Sequence, residues 1–438
     1  MQAPKVIADP IYGIIDVRPV LPMIETREFQ ALGDKRQLGM SHLVYPSATH
    51  TRKAHSLGAY HATRELARRW IERRMIGRRE SDALAGYALY HDIGHPPFSH
   101  VTELFCPMPP GIRGMSANSA ISLAIIRRRR KEIEASGIDF KLLERMASHR
   151  DPLHLAVSDK NLGMEKLDYL ERDGLFTILS RPTGVDYLRE HIYFIDGHLA
   201  IDEKAIDNAV EAQNYYLKIY KNVYLRKTSA IAQRMVQKIV HHLIAAGELV
   251  PDELVGLTDS ELTGLMRVSR EPIVVALYEN LRDRRLFREA VVIRTAGFDR
   301  SGALTGKRIV VRGESDRVID RLAQNPALDE TNQTGLETAE QDIATIAGVP
   351  ATAVLVVPIS STERFEAQDI LIYEGPSGPR GRRSRFASLR ARYPAHFKNI
   401  AEVGRSYLAF RVCATEPHRR RLSEPRIAKK IIERVLAA

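Results

Sequence analysis

The segment from Ser81 to His95 constrains this chain more than any other. Leu84, Tyr87, Ala88, His91 and His95 recur at steps of three and four, the spacing of one face of an amphipathic helix. Ser81 suits an N-cap, Asp82 suits the first turn, and Pro96-Pro97 cannot continue a helix, so a helix is predicted from 81 to 95. Its apolar face then carries two imidazoles, with Asp92 beside the first. An unpaired imidazole on a buried face is costly. A single interior histidine is ordinarily a hydrogen-bonded core residue, but two on one inner face with an adjacent aspartate point toward a site. Seven of the 15 histidines (His42, His50, His55, His61, His91, His95 and His100) fall between residues 42 and 100, where metal or proton chemistry could use them.

The rest of the chain reads as two textures. A helix is predicted from 55 to 75 with Ala59, Ala62, Leu66 and Ile71 inward, and others at 116–135, 160–180, 204–247 and 259–282. Beyond residue 286 come short β-branched runs at 290–294, 308–311, 354–359 and 369–373, then a closing helix over 423–436 started by Ser423 and Pro425. The expectation is a mainly α fold, with a helical core over residues 1–285 and a smaller α+β lobe over 286–438 that serves regulation or oligomerisation. At 438 residues and 44% hydrophobic, the chain is not disordered over most of its length. It has no apolar stretch of the roughly 20 residues a membrane span needs, and its first residues do not read as a signal peptide. Cys106 and Cys413 are too isolated for a disulfide framework, so a cytoplasmic location is expected. The net charge of +11 favours a polyanionic partner without choosing among nucleotide, nucleic acid and acidic lipid.

Two further stretches hold chemistry. Arg52-Lys53-Ala54-His55 places a histidine at a helix start, and Glu165-Lys166-Leu167-Asp168-Tyr169-Leu170-Glu171-Arg172-Asp173 is a helical carboxylate cluster in which Lys166, Tyr169 and Asp173 share a face. Spacing alone does not bring these to His91. Taken together, though, the words running from Tyr45 to Gly58, from His91 to His100, and Asp168-Tyr169 with Arg172-Asp173 make the chain resemble the HD-domain phosphohydrolases, and specifically their deoxynucleoside triphosphate triphosphohydrolase branch. The resemblance implies a helical HD-domain core in which His55, His91, Asp92 and Glu165 bind a divalent metal ion (Mn, Fe, Co, Zn, Ni or Mg). It also implies a dNTP substrate, with Arg52 and Lys166 on the phosphates, Tyr169 beside them, Asp173 on the sugar 3′-hydroxyl, and Gln37, Leu38 and Tyr224 around sugar and base. His95, then His100, are the implied proton-handling groups, with Glu103 as the orienting acid.

This chain departs from the family pattern at two places. Glu165 stands where the family has Asp, one methylene shorter. The further His-Glu pair usual at the start of the next helix is replaced by Gly114-Met115-Ser116-Ala117-Asn118-Ser119, and no histidine lies between His100 and His149. Positions where regulated relatives read an activating nucleotide carry Glu25 and Gly33. The Arg-rich segments Arg127–Lys131, Arg380–Arg385 and Arg419–Arg421 read as a solvated face, or as a surface for nucleic acid or a nucleotide effector in a homo-oligomer. Three functions follow: a metal-dependent dNTP triphosphohydrolase, an HD phosphodiesterase or nuclease on oligonucleotides, and a nucleotide-sensing regulator with little turnover.

Overall fold

In the computed structural model, which describes residues 5–295, 309–359, 367–377 and 383–437, the histidine-rich region folds around two helices, Arg52–Glu72 and Arg78–Tyr90. The first begins before residue 55 because Thr51 caps it by accepting from the Ala54 N–H. Ala59, Ala62 and Leu66 are buried as predicted, whereas Ile71 is 37% exposed. Trp70 takes the inward place, and its indole N–H donates to the Ile192 carbonyl at 2.9 Å, so a large ring is buried without an orphaned donor.

The second helix stops at Tyr90, short of the predicted His95. Residues 91–94 form turns instead, because Ser122 from the Ala117–Arg128 helix intervenes. Its hydroxyl donates to the His91 carbonyl at 2.9 Å and accepts the Gly94 N–H at 3.0 Å, replacing helical hydrogen bonds. A Cβ on Gly94 would lie 2.5 Å from the Ser122 nitrogen, so glycine is what permits this approach. His91 and His95 are therefore not successive turns of one regular helix.

The remaining long helices predicted from sequence are interrupted. The 116–135 stretch breaks into Ala117–Arg128 and Arg130–Ala135, and the 160–180 stretch is the shorter Met164–Thr177. The 204–247 stretch divides into Ile206–Ile219, a π turn at Tyr220–Tyr224, and Lys227–Ala245, while Pro272 begins a new helix within 259–282.

By contacts the chain divides into two compact units that interleave along the sequence. The first comprises Met1–Tyr220, Val250–Thr263 and Gln368–His396; the second comprises Lys221–Leu249, Gly264–Ala367 and Phe397–Ala438. In the first, the hairpin Ile192–Ile195/His198–Ile201 recruits Leu371–Ser377 in parallel through Ala200↔Leu371 and Ile201↔Ile372, and Arg383–Ser388 completes a four-stranded sheet. Residues 369–373, assigned from sequence to the C-terminal lobe, thus sit with the helical unit. The second unit is built on a sheet ordered Val310–Glu314, Arg288–Thr295, Ala409–Ala414, Val354–Val357. Val354 to Val356 and Ala290 to Val292 are buried there, as expected of β-branched runs covered by helices.

The cations of the Arg127–Arg130 run are matched by carboxylates. Arg127 pairs with Glu144, Arg128 and Arg129 with Glu28, and Arg130 with Glu134. Arg380–Arg382 lie outside the described residues. Among the described residues, no helix is long and apolar enough to cross a membrane.

Candidate metal and phosphate site

Four elements of the first unit bring the site together: the start of the Arg52–Glu72 helix, the turn after Tyr90, residues 95–103, and the Met164–Thr177 helix. His55 (1% exposed) and His91 (9%) face each other with their Nε2 atoms 3.2 Å apart. His55 Nδ1 is hydrogen-bonded to Asp168 Oδ2 at 2.7 Å, and His91 Nδ1 to the Ala88 carbonyl at 2.7 Å. Each Nδ1 therefore carries its proton toward an acceptor, which leaves two bare Nε2 lone pairs converging on one point. Such a contact is repulsive unless a proton or a cation lies between. One ligand atom from each of His55, His91 and Glu165 lies within 4.8 Å of the others. Asp92 stands at the edge, with Oδ2 3.7 Å from His55 Nε2 and Oδ1 3.5 Å from His91 Nε2. Two imidazoles and two carboxylates fit a borderline divalent cation.

Electrostatics agree with that fit. Burial lowers the His55 pKa, but the hydrogen bond and charge of Asp168, with Asp92 and Glu165, outweigh it and raise the value overall. The region is thus negative enough to attract a cation. Burial raises Asp92, yet the Arg52 guanidinium, 2.5 Å away, and the neighbouring imidazoles hold it well below the usual carboxylate range. Arg52 itself is buried and also donates from Nε to Ser99 Oγ at 2.8 Å.

Asp168 is the residue that orients His55. It accepts from Arg172 through both oxygens, at 2.9 and 3.0 Å, and Arg172 in turn reaches Asp9 at 2.8 Å. Gly58 makes room for this carboxylate, since a Cβ there would lie 2.0 Å from Asp168 Oδ1.

His95 is fully buried and its backbone carbonyl accepts from Lys35 Nζ at 2.7 Å. Burial, then the nearby Arg52 charge, pushes its pKa down to about 3, so it is neutral at pH 7. His100 is exposed and hydrogen-bonds Glu103 at 2.7 Å, which holds the carboxyl down at about 2 against burial. Asn118 bridges these groups. Its Nδ2 donates to His95 Nε2 at 2.9 Å and its backbone N–H donates to Glu103 Oε1 at 3.1 Å. Its own Oδ1 is engaged by the Ser116 hydroxyl and the Ser119 N–H, which sets the amide orientation.

On the Met164–Thr177 helix, the Lys166 ammonium lies 3.7 Å from the Tyr216 ring centroid and donates to the Lys160 carbonyl, and desolvation draws its pKa to about 7. Burial first, then the neighbouring Tyr216 and Tyr220, raises the Tyr169 hydroxyl well above its ordinary value. Its ring centroid is 6.3 Å from that of His55. Asp173 Oδ1 is hydrogen-bonded by His50 Nε2 at 2.8 Å, and the imidazole stacks on Phe176. The Gln37 N–H donates to the His50 carbonyl, and its buried Oε1 has no hydrogen-bond partner; Leu38 follows it at the start of a 3₁₀ turn, Gly39–Leu43. Tyr224 belongs to the second compact unit.

Comparison with known proteins places these residues in context. A family model described as HD domain matches residues 52–173, and one described as HD associated region matches residues 185–321. The chain is 28% identical over 333 residues to an HD domain-containing protein of Acanthamoeba polyphaga mimivirus, covering 65% of this chain and 72% of that one. It is 26% identical over 363 residues to a deoxynucleoside triphosphate triphosphohydrolase SAMHD1 homologue of Dictyostelium discoideum, covering 75% and 69%. Its fold matches a crystal structure of a phosphohydrolase from Bacteroides thetaiotaomicron with a TM-score of 0.66 at 22% identity, covering 94% of this chain and all of the other.

Proposed function

Because this chain belongs to the HD-domain phosphohydrolases, we propose that it hydrolyses deoxynucleoside triphosphates to deoxynucleoside and inorganic triphosphate. The observation that carries the reading is the pair of bare Nε2 atoms on His55 and His91, beside the Arg52–Asp92 pair. A divalent cation bound by His55, His91, Asp92 and Glu165 supplies positive charge against the phosphates. Arg52 presents a guanidinium held in place by Asp92 and Ser99. Lys166 leaves the Tyr216 ring to meet a phosphate oxygen, which restores the charge that desolvation disfavours. His95 takes the proton of the attacking water, and the exposed His100, steadied by Glu103, gives one to the leaving 5′-oxygen. Asp173, held by His50, accepts from the sugar 3′-hydroxyl, with Gln37 and Leu38 near the sugar and base.

Incubating the metal-loaded protein with each dNTP, singly and in mixtures that test for an effector, should release inorganic triphosphate. None released from any mixture refutes the proposal. Asn118 favours a second reading, a nucleotide sensor with little turnover, because it stands where the family's additional proton-handling histidine is usual. That reading predicts tight dNTP binding with the ligand unchanged over hours. The oligonucleotide reading draws less support, since the cations of the Arg127–Arg130 run are matched by carboxylates.

A further inference from the structure

We infer that Asp259 is a positioning residue for the phosphate end of the site, seating the loop 95–99 so that Ser99 fixes the direction of the Arg52 guanidinium; the inference rests on the proposed reading of Arg52 as a phosphate ligand. Asp259 is 3% exposed and begins the helix Asp259–Val268. An aspartate at a helix start ordinarily serves that helix. This start is satisfied without it. The Thr258 hydroxyl accepts the Glu261 N–H at 3.3 Å, the Glu261 carboxylate accepts the Thr258 N–H at 2.7 Å, and Asp34 accepts the Ser260 N–H at 3.3 Å. Both Asp259 oxygens go instead to distant backbone. Oδ1 accepts the Phe98 N–H at 2.6 Å and Oδ2 the Arg36 N–H at 3.0 Å, across 161 and 223 residues.

The two segments so joined are the ones that hold Arg52. Ser99, next to Phe98, donates its hydroxyl to the Arg36 carbonyl at 2.7 Å and accepts from Arg52 Nε at 2.8 Å. The Arg52 backbone N–H donates to the Lys35 carbonyl at 2.8 Å. Asp92 takes Nη1, so the guanidinium is fixed at two nitrogens and neither contact uses Nη2, which is free to meet a phosphate oxygen. Phe98 and Ser99 both have left-handed backbone, φ 56° and 58°, a conformation that such residues keep only where their surroundings impose it. The bond from the Phe98 N–H to Asp259 is one such constraint. Lys35 supplies another, since its ammonium, 2% exposed, donates to the carbonyls of His95 at 2.7 Å and Val255 at 2.8 Å. Residues 255–259 thus hold the loop near both ends, and Asp259 acts on the guanidinium through Ser99.

The test is calorimetric binding of inorganic triphosphate to the metal-loaded protein, with metal content measured alongside. Asp259→Asn keeps the size and one acceptor but turns an NH₂ group toward the other backbone N–H. It should weaken triphosphate binding about tenfold, the loss of one hydrogen bond to a charged group, with metal content unchanged. Ser99→Ala should weaken it by a similar factor, and the double variant by little more than either alone, because both break one chain of contacts. A merely structural Asp259 predicts that the two effects multiply, or that affinity falls only together with metal content. Either result, or wild-type affinity in Asp259→Asn, overturns the inference. Should Asp259→Asn fail to fold, Lys35→Met releases the other end of the loop and is read against Ser99→Ala in the same way. Turnover is not among the readouts, so coupled triphosphate binding with no dNTP hydrolysis defeats the proposed reaction alone, whereas a wild type that does not bind triphosphate defeats both.

Discussion

Gly58→Ala inverts the usual effect of replacing a glycine within a helix. At an ordinary helical position the exchange stabilises by about 1 kcal/mol, because glycine has more backbone freedom to lose. Gly58 lies inside the Arg52–Glu72 helix, but a Cβ there would meet Asp168 Oδ1 at 2.0 Å and Arg172 Nη2 at 2.3 Å. Neither group can yield cheaply. Asp168 is 0% exposed and holds His55 and Arg172, and Arg172, also 0% exposed, is tied to Asp9. Breaking a buried pair outright costs about 3–5 kcal/mol. Displacing the carboxylate far enough to lose most of that, less the propensity gain, predicts a net loss of about 2–4 kcal/mol. Urea unfolding of wild type and variant measures it, and metal content reports the accompanying loss of His55 orientation. In an Asp168→Ala background the penalty of Gly58→Ala should shrink by at least about 1 kcal/mol, because the clashing oxygen is gone. A Gly58→Ala protein as stable as wild type with full metal content refutes the reasoning.

Three other outcomes follow from the same structure. Burial, only partly offset by hydrogen bonds from the Phe98 and Arg36 N–H groups, lifts Asp259 to about 6; a carboxyl raised on folding stabilises fully below its unfolded value of about 4, and that contribution is lost as pH rises through about 6. Asp259→Ala should therefore cost about 1–2 kcal/mol more at pH 5 than at pH 8, and equal costs at both would contradict the assignment. Trp70→Phe orphans the buried Ile192 carbonyl and leaves a gap, so urea unfolding should show a loss of about 1–3 kcal/mol. Chelation should lower the thermal midpoint of wild type, since an ion bound only by the folded state stabilises it by mass action, and should leave a His55→Ala/His91→Ala protein unmoved.

Chemical identity was legible in the sequence wherever a local pattern demanded it. The paired histidines with Asp92 and the Lys166, Tyr169, Asp173 face are consequences of residue types at short spacing, and the helical class follows from apolar periodicity. Interactions between distant segments were not legible. That the helix ends at Tyr90 depends on a hydroxyl 31 residues beyond His91. That Asp168 orients His55 depends on a pairing across 113 residues, made possible by the absence of a side chain at Gly58. That residues 369–373 join the helical unit depends on strand edges of the 192–201 hairpin left open for pairing. Hydrogen bonds and carboxylate pairs of this kind carry no periodicity, so propensity cannot announce them. The sequence by itself determined which donors this protein has to offer a cation and a phosphate, because side-chain chemistry is fixed residue by residue. Only the tertiary structure decided which lone pairs face each other and which are already spent, because that depends on burial and on partners far along the chain.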